Sequence, residues 1–348
     1  MVSKRSAILI IVTIVIIAII GGVLSYYLLI KPTEERQEYP IKPIKHIIPW
    51  SAGGGTDTVM RKFMTFMEKS LSELTEKPVS IYSENIVGAS SGIGVYELMN
   101  SPPDGYTIGT LTWDSVITVP YFGLVEGYDL SKLRFVCTVT QHPTLLAVKA
   151  DAPWKTLQEL IEDAKRRPKE IKVANVGYGG VWHLPVLDLE RKAGVEFTHV
   201  AFPGGATGER EALIKGEVLV ASISYAGILP ALKAGQARVL VVFGEERLPQ
   251  LPDVPTAKEL GYDVVWGSFR IIAVPAETPD WIINLLAKAC KMAAENPEWK
   301  AWMNEFEGGG AIYLGPEETT EFVKKMQEKA FQFLDELVEA GIIQRPKK

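Results

Sequence analysis

Ile44-Lys45-His46-Ile47-Ile48-Pro49-Trp50-Ser51-Ala52-Gly53-Gly54-Gly55-Thr56-Asp57 passes from an apolar run into three glycines, and residues 59–74 then carry an amphipathic pattern. The stretch reads as strand, glycine loop and helix start. Three glycines permit positive φ and keep side chains out of the loop, so N–H groups at the helix N-terminus can point at a ligand. Such a loop suits an anion. No lysine or arginine lies within it, so a carboxylate held by backbone amides fits better than a nucleoside triphosphate, which usually recruits a cation too. Asp57 has two readings: a favourable charge at the helix N-terminus, or a group that orients the loop or meets a polar part of the ligand.

The same unit recurs downstream. Ala174-Asn175-Val176-Gly177-Tyr178-Gly179-Gly180-Val181-Trp182-His183 follows a strand pattern and precedes a helical run at 184–192. Phe202-Pro203-Gly204-Gly205-Ala206-Thr207-Gly208 links the next strand to a helix. Glycine loops from separate regions, each opening a helix, imply two lobes facing across a cleft, beyond the carboxyl ends of the strands. His183 lies where the helix dipole disfavours an imidazolium, and reads as a neutral donor that fixes the loop or as a ligand contact. Trp50, Trp113 and Trp182 fall near the cleft and form a candidate aromatic wall, whereas Trp281, Trp299 and Trp302 read as packing residues. Met60, Phe63, Met64 and Met67 have helical spacing and read as core.

Across the body, β-branched runs alternate with helical patterns, the signature of an α/β protein with largely parallel strands. Strands are expected at 45–48, 79–82, 107–112, 135–140, 145–149, 172–176, 197–201, 218–222, 238–243 and 269–274. Thr156 with Glu159 and Thr256 with Glu259 fit helix-opening capping boxes, and Pro279 and Pro316 suit first helical turns. The whole chain has 348 residues, 47% of them hydrophobic, and a net charge of −5 that points away from nucleic acid. Lys165-Arg166-Arg167 closes a predicted helix, where cations complement the dipole.

Residues 6–30 are almost uninterruptedly apolar after Lys4 and Arg5. At about 1.5 Å per residue, a helix of that length crosses a hydrocarbon core of roughly 30 Å. The run is long for a cleaved signal peptide and lacks a good cleavage site, so residues 1–30 read as an uncleaved anchor, with a signal segment as the alternative. The basic pair places the N-terminus inside and the body, after a spacer at 31–39, outside. No cysteine follows the segment to carry a lipid. Cys137 and Cys290 read as two buried free thiols, although an external compartment would also allow a disulfide. Two cysteines and four scattered histidines argue against a zinc site, and no cofactor is implied.

Gly88-Ala89-Ser90-Ser91-Gly92 matches the G-x-S-x-G nucleophile pattern, with His183 or His199 as a conceivable base. Glu84 to Val87 separate the strand from the glycines, which departs from the strand-to-helix elbow that pattern requires. Gly177-Tyr178-Gly179 begins like a dinucleotide fingerprint, but Trp182 replaces its third glycine, and there is no P-loop.

Pro49 to Asp57, Ser101-Pro102-Pro103-Asp104-Gly105-Tyr106-Thr107-Ile108-Gly109, Phe202-Pro203-Gly204-Gly205-Ala206, Leu232-Lys233-Ala234-Gly235 and Leu251-Pro252-Asp253-Val254-Pro255-Thr256 with Glu259-Leu260-Gly261-Tyr262 are collinear. Together they resemble the extracytoplasmic solute receptors of tripartite tricarboxylate transporters, the Bug-type binding proteins, from about residue 44 to 343. The resemblance implies a two-lobed, type II periplasmic-binding-protein fold, here preceded by one transmembrane helix. Lobe one would comprise 40–140 and 265–348, lobe two 141–264, with a C-terminal helix at 316–340 packed on lobe one. It also implies a small carboxylic acid in the cleft, no catalysis, delivery to the large and small membrane subunits of a permease, and a body that is monomeric.

Carried onto this chain, Trp50, Ser51, Ala52, Gly53, Gly54, Gly55, Thr56 and Asp57 would offer amides to one carboxylate. Gly179, Gly180, Val181, Trp182 and His183, with Gly204, Gly205 and Ala206, would hold the far end, and Trp113 and Ser224 complete the expected contacts. Family members usually carry a hydroxylated residue where Gly180 stands and another near Trp182, and Ile223 replaces a common aspartate beside Ser224. These departures suggest a more apolar or differently shaped acid. Two other classes compete: a ligand sensor partnered with a membrane signalling protein, and a serine hydrolase built on Ser90.

Overall fold

β1 (Ile44–Ile48) buries Ile44, Ile47 and Ile48 completely, as a strand flanked on both edges must. It runs parallel to β2 (Ile81–Asn85) and β3 (Thr107–Thr112), with Ile44 opposite Ile81 and Lys45 opposite Thr107. The computed structural model describes residues 38–177, 179–202 and 205–345, together with Ile16, Ala18, Ile19 and Gly21. Contacts divide the chain into Met1–Ile41 and Lys42–Lys348, and the architecture is that of the second unit. Apart from those four positions, the expected anchor at 1–30 lies outside the described residues. Among the described residues no helix is long and apolar enough to cross a membrane.

Two sheets share one strand. β4 (Leu133–Lys149) pairs antiparallel with β9 (Gly267–Pro275) from Leu133 to Pro143, and β3 closes on the other edge of β9. Beyond Pro143 the same strand pairs with β8 (Ala237–Phe243) and β7 (Val220–Ile223). β7 continues in parallel to β5 (Lys172–Asn175), and β5 to β6 (Thr198–Ala201). A short strand, β10 (Ala311–Leu314), adds to β4 at Thr138 and Thr140. Proline cannot donate to a ladder, so Pro143 suits the point where partners change. Two glycines crowd β4 there: a Cβ on Gly267 would lie 2.4 Å from the His142 carbonyl oxygen, and one on Gly310 would lie 2.2 Å from that of Gln141.

Helices cover both sheets. α1 (Gly55–Thr75) buries Val59, Met60, Phe63, Met64, Met67 and Leu71 and packs on α9 (Asp280–Glu295), so the methionine stripe is core. Each such side chain contributes about 1.5–3 kcal/mol of burial. Phe63 meets Trp299 of α10 (Pro297–Glu307) edge-on at 5.0 Å. In the second sheet, Leu146, Val173 and Val220 face α5 (Leu157–Arg166) and α6 (Leu184–Ala193). Leu145, Ala174 and Ile223 face α7 (Ala206–Lys215) and α8 (Tyr225–Lys233).

Two expectations change. Cys137 of β4 and Cys290 on the buried face of α9 form a disulfide, with Cα atoms 6.7 Å apart, rather than two free thiols. Thr256 and Glu259 do make a reciprocal box, Glu259 N–H to Thr256 Oγ1 at 3.2 Å and Thr256 N–H to Glu259 Oε2 at 2.7 Å, but it closes a turn and no helix follows. α11 (Pro316–Glu339) packs on β4 and β10 and also touches the second sheet's helices: Thr319 Oγ1 lies 3.0 Å from Thr138 Oγ1, Glu336 pairs with Arg191 of α6, and Lys329 Nζ donates to the Val265 carbonyl at 2.8 Å.

Candidate functional site

The loop after β1 is exposed from Ser51 to Gly55 and turns through Gly53, whose φ of +77° favours glycine. Gly54 N–H donates to the Ser51 carbonyl at 3.2 Å, and helical bonding begins only with Thr58 N–H to the Gly54 carbonyl. Gly54 is the N-cap of α1 and has no side chain to cap it. Helix geometry therefore gives the Gly55, Thr56 and Asp57 amides no carbonyl partners. Asp57 fixes this arrangement. Its carboxylate accepts from Gly53 N–H at 2.9 Å, Arg61 Nε at 2.8 Å and Asn85 Nδ2 at 2.7 Å. These bonds outweigh burial and hold its pKa below the usual carboxylate value. The orienting reading of Asp57 thus has a direct structural basis, and Arg61 and Asn85 are partners that sequence reasoning missed.

Trp50 stands partly exposed, with Nε1–H donating to Thr112 Oγ1 at 3.1 Å, which ties this loop to the end of β3. Two short helices, α3 (Trp113–Val116) and α4 (Thr118–Phe122), follow β3. Trp113 is fully buried against Trp266 and Phe269, at 5.6 and 6.0 Å between ring centroids, so it is a packing group and not part of an aromatic wall. Its neighbour Asp114 is nearly buried and accepts from Thr118 Oγ1 at 3.0 Å.

The second glycine loop meets these helices. Thr118 Oγ1 lies 3.3 Å from the Gly179 carbonyl oxygen, and a Cβ on Gly180 would stand 3.5 Å from Asp114 Oδ1. Within the loop, Gly180 N–H bonds the Gly177 carbonyl at 3.3 Å and His183 N–H the Gly180 carbonyl at 2.9 Å. Gly179 N–H donates to His183 Nδ1 at 3.0 Å. His183 is therefore neutral as expected, yet it fixes the loop by accepting at Nδ1. Burial, then the neighbouring His199 ring 4.6 Å away, lowers its pKa to about 3. These turns engage the Gly179, Gly180 and His183 amides. Trp182 is largely buried, 6.2 Å from the His142 ring.

In the third loop, Gly204 lies outside the described residues. Gly205 (φ +62°) is the N-cap of α7, with Ala206 its first residue and no side-chain cap. Ser224 caps α8 by accepting from Gly227 N–H at 3.1 Å, so its oxygen serves the helix before any ligand. Thus α1, α6 and α7, which the three glycine loops open, all lack a side-chain cap, whereas Thr156, Ser224 and Asn296 cap other helices. Uncapped N-termini at strand C-terminal ends can bind anions through amides and helix dipoles.

Sequence reasoning also missed a row of polar side chains on one face of the second sheet. By register, Thr144, Asn175 and Ser222 share that face with His142. All four are buried, and His142 Nδ1, Thr144 Oγ1, Asn175 Nδ2 and Ser222 Oγ have no hydrogen-bond partner. Single polar residues inside apolar strands give no signal of shared orientation until pairing is known. By contrast, Ser90 is exposed in a left-handed turn (φ 52°), while His199 Nε2 pairs with Glu190 at 3.0 Å, an arrangement unlike a nucleophile elbow with its base. A separate cavity of about 340 Å³ involves Asp188, Arg191, Lys192, Trp266 and Lys329. Its cations are already engaged by Asp188, Glu336 and the Val265 carbonyl.

Two α/β sheets joined by a shared strand, with uncapped helix N-termini at their strand ends, define a two-lobed solute-binding protein of the periplasmic-binding-protein class. Residues 59–337 match the model of the tripartite tricarboxylate transporter family receptor, TctC, and the chain belongs to that family. It is similar to the crystal structure of a TctC solute-binding protein from Polaromonas, at 29% identity and a TM-score of 0.69 over 86% of this chain and all (100%) of that one. It also resembles MatC from Rhodopseudomonas palustris with bound malate, at 25% identity and TM-score 0.72 over 85% of this chain and 99% of that one. A further R. palustris protein, solved with adipate, is 25% identical with a TM-score of 0.75 over 85% of this chain and 98% of that one.

Proposed function

We propose that this protein is an extracytoplasmic receptor that closes its lobes, 40–140 with 265–348 and 141–264, around a small carboxylic acid. It presents that acid to the large and small membrane subunits of a tripartite tricarboxylate permease, and residues 6–30 tether it to the membrane. The observation that carries this reading is the exposed, Asp57-braced glycine loop, which opens α1 with no side-chain cap and has no lysine or arginine in it. Malate and adipate in the similar structures are both dicarboxylic acids, which supports the ligand class. Charge-assisted bonds contribute roughly 1.5–3 kcal/mol each, so four give about 6–12 kcal/mol gross, against about 8 kcal/mol for micromolar affinity. Lobe closure that excludes water strengthens each bond. Binding and release involve no covalent chemistry.

Isothermal titration of the body, residues 38–348, refolded to strip bound ligand, against mono-, di- and tricarboxylates tests the reading. Saturable binding that Gly54→Leu abolishes is expected, because a Cβ there already comes within 3.1 Å of the Ser51 carbonyl oxygen and the added side chain crowds the amide face. Absence of binding by any carboxylate, in a protein that melts cooperatively, would refute it.

A further inference from the structure

The first glycine loop contains no cation, yet one lies against it from a distant part of the chain. Arg270 of β9 stands in register opposite Thr112 of β3, to which Trp50 is tied, and opposite Thr140 of β4. A Cβ on Gly55, the first residue of α1, would lie 3.7 Å from Arg270 Nη2 and 4.0 Å from Glu307 Oε1. Nη2 donates to that Glu307 oxygen at 2.9 Å, and Nη1 to Thr140 Oγ1 at 3.3 Å. The two side chains are 5% and 1% exposed, and among the described residues no other ion pair is buried on both sides. Desolvation offsets the attraction in such a pair, so stability alone does not account for it. The pair makes one bond rather than a two-bond fork, and Arg270 Nε and Glu307 Oε2 have no partner. Neither charge is fully matched, and in poorly polarisable surroundings each is felt several ångströms away. Arg61, the other cation beside the loop, is engaged by Asp57 and 42% exposed, so solvent screens it.

We propose that Arg270 is a positioning residue for the ligand's carboxylate: from the buried side of Gly55 it supplies the positive charge that the first glycine loop lacks, and Glu307 holds that charge in place and moderates it. This rests on the carboxylate-receptor reading. A cation beside a helix N-terminus is unfavourable by itself, which Glu307 offsets, and an anion on the amides brings a second counter-charge to the same spot. Arg270 acts through space, because the ligand meets Gly55 from its exposed side. The two partners therefore have opposite effects on affinity: Arg270 raises it and Glu307 lowers it.

The test is titration calorimetry at pH 8 of the full chain in detergent, dialysed free of ligand, with acetate, succinate, malate, adipate and citrate as probes. For the tightest of these acids, Arg270→Gln should weaken binding about tenfold or more, and Arg270→Lys, which keeps the charge, should stay within about threefold of the unaltered protein. Glu307→Gln, which leaves Arg270 unopposed, should tighten binding by about threefold or more. A brace without an electrostatic part predicts that Arg270→Gln and Glu307→Gln lose affinity together, since each breaks the same bond. That result, unchanged affinity in both, or equal losses in Arg270→Lys and Arg270→Gln would overturn the inference and leave the receptor reading intact. If Glu307→Gln does not melt cooperatively, the comparison of Gln with Lys at position 270 decides; if Arg270→Gln does not, the sign of the change in Glu307→Gln decides. An unaltered protein that binds none of the acids overturns both the receptor reading and this inference.

Discussion

Glu209 offers a test of electrostatics inside the second lobe. It lies in the first turn of α7, fully buried, with neither carboxyl oxygen hydrogen-bonded, and burial raises its pKa well above 4.5. Burial also raises Asp114 to about 6 and lowers His46, His142 and His183 to about 3, 4 and 3. Each histidine has a folded pKa below its unfolded value of 6.5, so its contribution is complete above pH 6.5 and is lost as pH falls. Each acid has a raised folded pKa, so its contribution is complete below its unfolded value and is lost as pH rises. As pH falls below 6.5 the unfolded chain takes up three protons that the folded histidines refuse, so their contribution to stability is lost on acidification. Asp114 and Glu209 act in the opposite sense, holding protons that the unfolded chain has released, so their contribution is lost as each ionises with rising pH. Glu209→Gln should therefore flatten the alkaline limb and steepen the acid limb. Urea unfolding followed by tryptophan fluorescence from pH 4.5 to 8.5 measures both limbs. An unchanged profile in Glu209→Gln would show that this carboxyl is ionised in the folded protein and that the argument fails.

Asp57→Ala should weaken carboxylate binding at least tenfold and cost about 1–2 kcal/mol of stability, since three donors lose their acceptor and Arg61 is partly exposed; calorimetry showing unchanged affinity would refute loop orientation by Asp57. Ser90→Gly should stabilise by about 0.5–1 kcal/mol, because an exposed serine at φ 52° bears left-handed strain that exceeds the entropic cost of glycine; a lower urea midpoint would contradict this. The denatured, unreduced protein should show no free thiol with Ellman's reagent, and replacing Cys137 and Cys290 by alanine should lower stability by about 2–4 kcal/mol. Detection of two thiols without reductant would contradict the bridge.

The glycine loop at 53–55 was legible because composition alone dictates its conformation, and β3 at Thr107–Thr112 fell where its β-branched run placed it. Residues 135–140 and 145–149 read as two strands because Gln141-His142-Pro143 interrupts the pattern, yet they are one strand whose partners change at the proline. β2 begins at Ile81, two residues later than its apolar pattern suggests, and continues through Glu84 and Asn85 because only one of its faces is buried. β10 went unread because Ala311–Leu314 is short and only partly buried. In the site, the loops were visible but their bookends were not. Asn85 reaches Asp57 over 28 positions, and Asp114 meets Gly180 only through the packing of the segment after β3 against the loop after β5. Trp113 failed as a wall residue because position at a strand end does not reveal which way an indole turns. The box at Thr256 and Glu259 succeeded as local chemistry and failed as a helix signal, since the segment after it supplies no continued apolar face.

β4 changes partners at Pro143, and the chain returns to the first sheet at Gly267, so everything between is an uninterrupted insertion in the reading frame. That stretch carries the second and third glycine loops, while the flanking sequence carries the first loop and Asp114. On the proposed function, a single coding cassette therefore carries one jaw of the receptor, and its exchange has to preserve the contacts that Thr118 and α11 make with it. Diversification by recombination needs just two crossovers, at positions where crowded glycines already fix the backbone geometry. New ligand pairings could then arise from old parts in one genetic event rather than by accumulating point changes on both sides of the cleft.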